Sequence, residues 1–329
     1  MLAGVAVVVK PHHVQYAVAL ATGSLRAPYF DVNAYLRSPN CDGAEPCESR
    51  SIKVMNYNVL CRLCGKKGFD GWEERRPYLE KMVARYDADL LGTQELVTLG
   101  DVEAFARAFP QFQHVTFTIG AWGYGDSALF YRKDRFDALA SGQMWLGPNP
   151  AVPLGMGWKA WSFPRYVNWV YLRQKNDGFR FLYINTHFDN NTTNNVGAVT
   201  MFADIFAPLA AVMPIIVTGD FNLNLTAPRY AELVGDTRGS RVLNDAFDLA
   251  LERNAVRNFL DRIAPPKSEP ISGENTMTDH IYLAGPGENN VSRWVKDAST
   301  YGKDGRRPSD HSAVYAEVSL RSRANARRP

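Results

Sequence analysis

The stretch Pro214-Ile-Ile-Val-Thr-Gly-Asp-Phe-Asn222 decides how this chain is read. Ile215, Ile216 and Val217 form a short β-branched run between a proline and a glycine, which predicts a strand over 214–218. A continuous apolar run is what a strand covered on both faces requires, and such strands belong to α/β proteins. The strand then gives way to Asp220 and Asn222, so a carboxylate and an amide stand where a covered strand emerges.

The same pattern recurs outward from this point. Ile52–Val59 reads as a strand with Asn58 at its end, and Ala88–Thr93 as a strand followed by Gln94-Glu95. Phe179–Thr186 runs into His187, and Thr278–Leu283 carries Asp279 at its start. Ser309-Asp310-His311 sits just before a final strand over Ala313–Val318. Further strands are predicted at His114–Ile119, Ser127–Tyr131, Val167–Arg173 and Arg293–Lys296. Helices are predicted at Trp72–Tyr86, where Tyr78, Leu79, Met82, Val83 and Tyr86 share a face, and at Asp101–Ala108 and Val196–Ala211. A helical stretch is also expected around Asn244–Asn258. Helices interleave with strands, yet several strand pairs follow one another directly, which implies mixed sheets with helices outside. No long linker interrupts 51–320, so it reads as one domain of two stacked sheets. Residues 1–50, with apolar runs Val5–Val9 and Val14–Ala21, read as an N-terminal extension or hairpin and a linker.

Composition sets outer bounds. The 329 residues are 46% hydrophobic and 22% charged, which excludes a mainly disordered chain. No heptad or other repeat recurs, and no apolar segment approaches the roughly 20 residues that span a bilayer. The net charge of +3 is misleading, because residues 321–329 hold four arginines and no acid; without those four the charge is −1. That segment reads as a solvated basic tail. A near-neutral body lacks the basic face of a tight nucleic-acid binder. Cys41, Cys47, Cys61 and Cys64 lie close together. They admit disulfides, free thiols or a four-thiolate zinc site. The disulfide reading goes with a secreted or periplasmic location, which is the compartment expected.

Taken singly, each strand-end polar group has an ordinary explanation, such as a turn, a cap or a satisfied histidine. Six in one order have a shared chemical logic. Carboxylates and amide oxygens without thiolates suit a hard cation, Mg²⁺ or Mn²⁺. Histidines among them suit negative phosphoryl oxygens, and an Asp beside an Asn suits activation of water.

The segments Asn56-Tyr-Asn58, Gln94-Glu95, Asn185-Thr-His187, Gly219-Asp-Phe-Asn222, Asp279-His-Ile-Tyr282 and Ser309-Asp-His311 resemble the endonuclease/exonuclease/phosphatase (DNase I-like) hydrolases over Ile52–Leu320. The resemblance implies a four-layered α/β sandwich, with two mixed central sheets flanked by helices, and Mg²⁺-dependent phosphoester hydrolysis. It implies Glu95 as principal metal ligand, with Asn58 and Asp310 beside it. Asp220 would activate water, Asn222 would hold water and phosphate, and His187 and His311 would stabilise transition-state charge. Asp279 would orient His311. Asp126 is shorter than the glutamate that family members often carry near this strand, and its pairing with His187 stays open. Arg165 could contact phosphate or form a structural ion pair. Met277-Thr-Asp-His280 departs from the inositol polyphosphate phosphatase branch; the look is that of uncharacterised bacterial members and sphingomyelinase-like phosphodiesterases. Trp145, Trp158, Trp161 and Trp169 are read either as buried packing or as a loop touching substrate or membrane. The expected protein is a monomeric phosphodiesterase or phosphatase acting on a phospholipid or small phosphoester, with peripheral membrane contact as a further expectation. The alternatives are a nuclease for DNA or RNA, as in a secreted toxin subunit, and a catalytically inactive binding module.

Overall fold

The computed structural model describes residues 40–42, 47–117, 125–150, 157–159, 162, 164–234, 243–262, 267–269, 271 and 276–322. The apolar runs Val5–Val9 and Val14–Ala21, Trp161 and residues 323–329 of the basic tail lie outside them. The strands are β1 (Ile52–Asn58), β2 (Leu90–Gln94), β3 (Phe112–Val115), β4 (Leu129–Arg132), β5 (Phe136–Trp145), β6 (Tyr166–Gln174) and β7 (Arg180–His187). They continue with β8 (Ile215–Asp220), β9 (Asn244–Asp245), β10 (Ala250–Arg257), β11 (Lys267–Glu269), β12 (Asp279–Ala284), β13 (Asn289–Asp297) and β14 (Ala313–Leu320). Among the described residues the helices are α1 (Trp72–Tyr86), α2 (Leu99–Ala108), α3 (Thr192–Ala210), α4 (Pro228–Val234) and the short α5 (Ala246–Leu249).

Two mixed sheets stack face to face. One has the order β11-β10-β13-β14-β1-β2-β4-β3, the other β5-β6-β7-β8-β12-β9. Side chains alternate across a strand, and the burial clusters follow that alternation. Ile52 and Val54 of β1, with Leu90 and Val314, face the second sheet and pack on its Phe181, Tyr183, Ile216 and Ile281. Met55 and Tyr57 point the other way, onto Leu79, Met82 and Val83 of α1 and Phe105 of α2. On the far side, Leu182, Ile184, Ile215 and Val217 pack beneath Ala198, Val199, Phe202 and Phe206 of α3. The order helix, sheet, sheet, helix is the four-layered sandwich expected from the sequence.

The inner faces change character at one end. On β1 the alternation that places Ile52 and Val54 inside continues to Asn56 and Asn58; on β7, Phe181 and Tyr183 continue to Asn185 and His187. On β8 the series runs Ile216, Thr218, Asp220. The inter-sheet layer is therefore oily for most of its length and polar at one end. There Gln94 Nε2 donates to Asn56 Oδ1 and Asn185 Oδ1, each at 2.8 Å. Asn185 Nδ2 donates to the Thr93 and Ala128 carbonyls at 2.8 and 2.9 Å. Thr218 Oγ1 donates to Asn185 Oδ1 at 3.0 Å. The sheets approach so closely that only a glycine fits at position 92. A Cβ there would meet Thr218 Oγ1 at 2.1 Å and Asn185 Oδ1 at 2.5 Å.

Three expectations need correction. The helix around Asn244–Asn258 is confined to Ala246–Leu249, and Ala250–Arg257 is the strand β10. Its residues Leu251, Glu252 and Arg253 favour helix, but the parallel ladder to β13, Ala250↔Val291 through Val256↔Asp297, supplies its backbone partners instead. The strand expected at His114–Ile119 begins earlier, at Phe112. β5 was not predicted, because Asp137-Ala-Leu-Ala-Ser-Gly142 lacks β-branched residues. The antiparallel pairing of this strand with β6, nine residue pairs broken by one register shift between Ala138 and Ala140, overrides that composition. The segment preceding β1 is joined to the domain where it is described: Arg180 N donates to Asn40 O at 2.8 Å, and Ser49 N to Leu320 O at 2.8 Å.

Gly92→Ala is expected to destabilise the fold by at least about 2 kcal/mol, because neither contacting polar atom is a flexible chain end. Urea unfolding measures this; a midpoint equal to wild type contradicts the close-approach argument.

Candidate active site

The polar end of the inter-sheet layer carries the site. Glu95 and Asp220 come from different sheets, yet both accept from one amide: Asn58 Nδ2 lies 3.1 Å from Glu95 Oε1 and 3.0 Å from Asp220 Oδ2. The second Glu95 oxygen accepts from Cys61 N at 2.8 Å, and Glu95 N donates to Asp126 Oδ1 at 2.9 Å. Leu60, Glu95 and Asn222 have positive φ values of 55°, 70° and 50°. Non-glycine residues enter that region at some cost, of the order of 1 kcal/mol. Here the left-handed turns re-aim the chain as it leaves β1, β2 and β8.

Two histidines flank Asp220 from opposite partners. His187 Nε2 lies 3.5 Å from Asp220 Oδ2, and its Nδ1 lies 3.1 Å from Asp126 Oδ2 and 2.7 Å from Arg165 Nη1. Arg165 also donates to Asp126 Oδ2 at 2.6 Å. Asp126 thus reaches His187 despite being shorter than glutamate. Burial alone would raise its carboxyl, but His187, Arg165 and the Glu95 amide outweigh that and hold it down to about 2. On the other flank, His311 Nε2 is 3.7 Å from Asp220 Oδ2, and Asp279 Oδ2 accepts from His311 Nδ1 at 2.6 Å. Burial works against a charged imidazole, yet Asp279, Asp220 and Asp310 keep His311 protonated up to about 10. Asn222 N donates to Asp220 Oδ1 at 3.0 Å, and Asn222 Nδ2 to the Phe188 carbonyl at 2.9 Å. The Asp220 carboxylate is thereby anchored by one oxygen, while the other faces Asn58 and both histidines.

Asp310 lies at the rim, where Lys66 Nζ donates to it at 2.6 Å. Burial opposes ionisation there, but Lys66 and His311 leave its carboxyl below the ordinary range. As possible cation ligands, Asn58, Glu95 and Asp310 are hard oxygen donors. Asn58 Oδ1 accepts from Leu60 N at 3.1 Å and, as an amide carbonyl, keeps a second lone pair. The sulfurs of Cys61 and Cys64 lie within 4.8 Å of a Glu95 oxygen, but the two cysteines form a disulfide. Cys41 and Cys47 form another. The free-thiol and zinc readings of the cysteines therefore fall. A set of carboxylate and amide oxygens with no thiolate fits Mg²⁺ or Mn²⁺ better than zinc. Asp220, Asp279 and His311 also present atoms within 4.8 Å of one another.

Arg75 and Lys66 escaped the sequence reading. The Arg75 guanidinium is buried under the loop after β1 and donates to the carbonyls of Val59, Leu60, Cys61 and Pro308. It ties the Asn58 loop to the Asp310 loop, and Ser309 Oγ, donating to Asn58 O at 2.7 Å, reinforces the link. Nothing in the local pattern separates Arg75 from Arg76, which pairs with Glu80 on the helix surface. Trp145 and Trp169 are buried, and Trp158 packs against the α3 core, so packing rather than membrane contact accounts for these three. None of the described helices is long and apolar enough to cross a membrane.

Comparison with known proteins gives a consistent result. The family model described as "Endonuclease/Exonuclease/phosphatase family" matches residues 55–311. An endonuclease/exonuclease/phosphatase family protein from Bacteroides thetaiotaomicron is 29% identical, with a TM-score of 0.67 over 84% of this chain and 99% of that one. A mannosyl-6-phosphatase from the same organism is 29% identical, with a TM-score of 0.66 over 81% and 99%. The human Nocturnin catalytic domain with a bound sulfate anion is 19% identical, with a TM-score of 0.58 over 83% and 96%, and shares the fold. No curated protein matches the chain.

Because the folded-state value of Asp126 is depressed, its contribution is present above the ordinary value of 3.8 and is lost as pH falls through about 2. Asp126→Asn is expected to lower stability near neutral pH by about 2 kcal/mol, the worth of that shift for a buried group. Urea unfolding across pH checks this. The gap between wild type and variant should close between about pH 4 and about pH 2; a gap independent of pH contradicts it.

Proposed function

The chain belongs to the endonuclease/exonuclease/phosphatase family of divalent-metal-dependent phosphoester hydrolases, and on that footing we propose that it is a Mg²⁺-dependent phosphatase for small, polar phosphoesters. The observation that carries the reading is the environment of Asp220 Oδ2, set 3.0 Å from the Asn58 amide and 3.5 and 3.7 Å from the two imidazoles. A carboxylate so placed accepts a proton from water at that oxygen, while its other oxygen is held by Asn222 N. The His311 imidazolium, kept charged by Asp279, donates to a phosphoryl oxygen as negative charge grows there. His187, held at Nδ1 by Asp126 and Arg165, offers Nε2 to the phosphate from the opposite flank. Asn58, Glu95 and Asp310 would hold the cation, which when bound neutralises phosphate charge.

The substrate class follows from shape and charge. The cleft opening beside His311 measures about 190 Å³ and is lined by Thr278, Lys296, Arg307 and Ser312 among others, with no Phe, Tyr or Trp among the described residues that line it. Nucleobases are gripped by stacking on aromatic rings, and the described lining offers none. With a body charge of −1 once the basic tail is set aside, a polar alcohol phosphate fits better than a nucleic acid. The similarity to a mannosyl-6-phosphatase supports a sugar phosphate. The two disulfides support an oxidising, secreted or periplasmic setting.

Phosphate release from a panel of sugar phosphates, sphingomyelin, a nitrophenyl phosphodiester and plasmid DNA tests the reading. Sugar phosphates should be preferred, chelation should abolish turnover, and Mg²⁺ or Mn²⁺ should restore it. Asp220→Asn should lower kcat by about a thousandfold with folding retained. Faster cleavage of DNA, or near-normal turnover by that variant, overturns it.

A further inference from the structure

We propose that the cleft beside His311 is a subsite for a second anionic group of the substrate, a carboxylate or another phosphate, gripped by Arg307. This rests on the phosphatase reading and narrows it to substrates bearing an anion besides the reacting phosphate.

The sequence Arg306-Arg307-Pro308-Ser309 sets two adjacent arginines to different uses. Arg306 pairs with Asp70 and Asp304. Arg307 lines the cleft, donates to Ser312 Oγ at 3.3 Å, and forms no ion pair among the described residues. A guanidinium has five N–H donors, so that bond leaves most of the fork available. The two acids of the cleft are committed elsewhere: Asp279 to His311 at 2.6 Å and Asp310 to Lys66 at 2.6 Å. Neither is paired with Arg307.

Arg307 is also held in place. The next residue's carbonyl accepts from buried Arg75 at 3.0 Å, and Ser309 Oγ is bonded to the Asn58 carbonyl at 2.7 Å. The loop bearing Arg307 is thus tied to the loop bearing Asn58, so the fork keeps its register with the reacting centre. Planar, two-pronged donors suit carboxylate and phosphate oxygens. A cleft of about 190 Å³ holds about six waters at roughly 30 Å³ each, room for one anionic arm. Hydroxyls of Thr276, Thr278 and Ser312 on its walls complete a polar lining.

Three probes separate the possibilities: ethyl phosphate with one anion, phosphoglycolate with an added carboxylate, and propanediol bisphosphate with an added phosphate. Wild-type enzyme should prefer one or both two-anion probes over ethyl phosphate by at least about tenfold in kcat/KM, chiefly through KM; which one names the anion. In Arg307→Gln that preference should fall by about tenfold. Equal kcat/KM on all three probes in wild type overturns the proposal. So does a uniform loss of kcat in Arg307→Gln with the preference intact, which would assign the guanidinium to the reacting phosphate. If none of the probes is hydrolysed, the phosphatase reading is at fault, and calorimetry still decides the subsite. With Mg²⁺ present, methylenediphosphonate should bind at least about tenfold tighter than methylphosphonate to wild type but not to Arg307→Gln. An advantage that survives in Arg307→Gln, its folding checked by thermal unfolding, refutes the subsite.

Discussion

Two sheets that close on a shared layer must find partners inside it for most of the polar groups they bury there, and this requirement governs the whole site end of the molecule. Each buried amide left unsatisfied would cost roughly 1–3 kcal/mol. The bonds among Asn56, Gln94, Asn185 and Thr218 join β1, β2, β7 and β8 across the two sheets. The layer closes only because position 92 has no side chain. With those amides locked, the residues just beyond them along the same strands or their ends, Asn58, Glu95, His187 and Asp220, have little freedom left. The network therefore positions the chemistry without taking part in it.

Charge is handled by the same economy of partners. Asp220 receives one flank from Arg165, Asp126 and His187, and the other from Asp279 and His311. Isolated charges could not be buried at this depth. Setting each acid beside a base lets such a cluster stay buried. The cationic member on one side, His311, holds its proton well above the ordinary imidazole range. Arg75 serves a different end: its guanidinium satisfies loop carbonyls rather than carboxylates, and holds two site loops together.

Backbone conformation carries part of the design. Left-handed residues at Leu60, Glu95 and Asn222 turn the chain sharply where strands end. Such geometry is unfavourable in isolation, and the surrounding hydrogen bonds hold it: Leu60 N to Asn58 Oδ1, Glu95 N to Asp126 Oδ1 and Asn222 N to Asp220 Oδ1. In each case a side chain of the site stabilises the turn that presents the site. Fold and chemistry are thus not separable modules at this end of the sandwich.

Much of this was legible in the chain itself. Strand runs such as Ile215–Val217 and the helical face of Trp72–Tyr86 follow from side-chain periodicity, and the polar residues at strand ends announced a site because covered strands do not normally end so. Periodicity is a local property, and local properties are written in sequence. Other features were decided by contacts between distant segments. β10 took strand form against the helix preference of Leu251 and Glu252 because β13 offered it a ladder. Asp126, which leads into β4, met His187, sixty-one residues away at the end of β7, only once the two sheets had stacked. Arg75 could not be told from Arg76 until the loop after β1 folded over one and left the other in solvent. The sequence alone determined which groups would stand at strand ends; tertiary structure decided which of them touch, because contact energies depend on neighbours that a linear pattern does not contain.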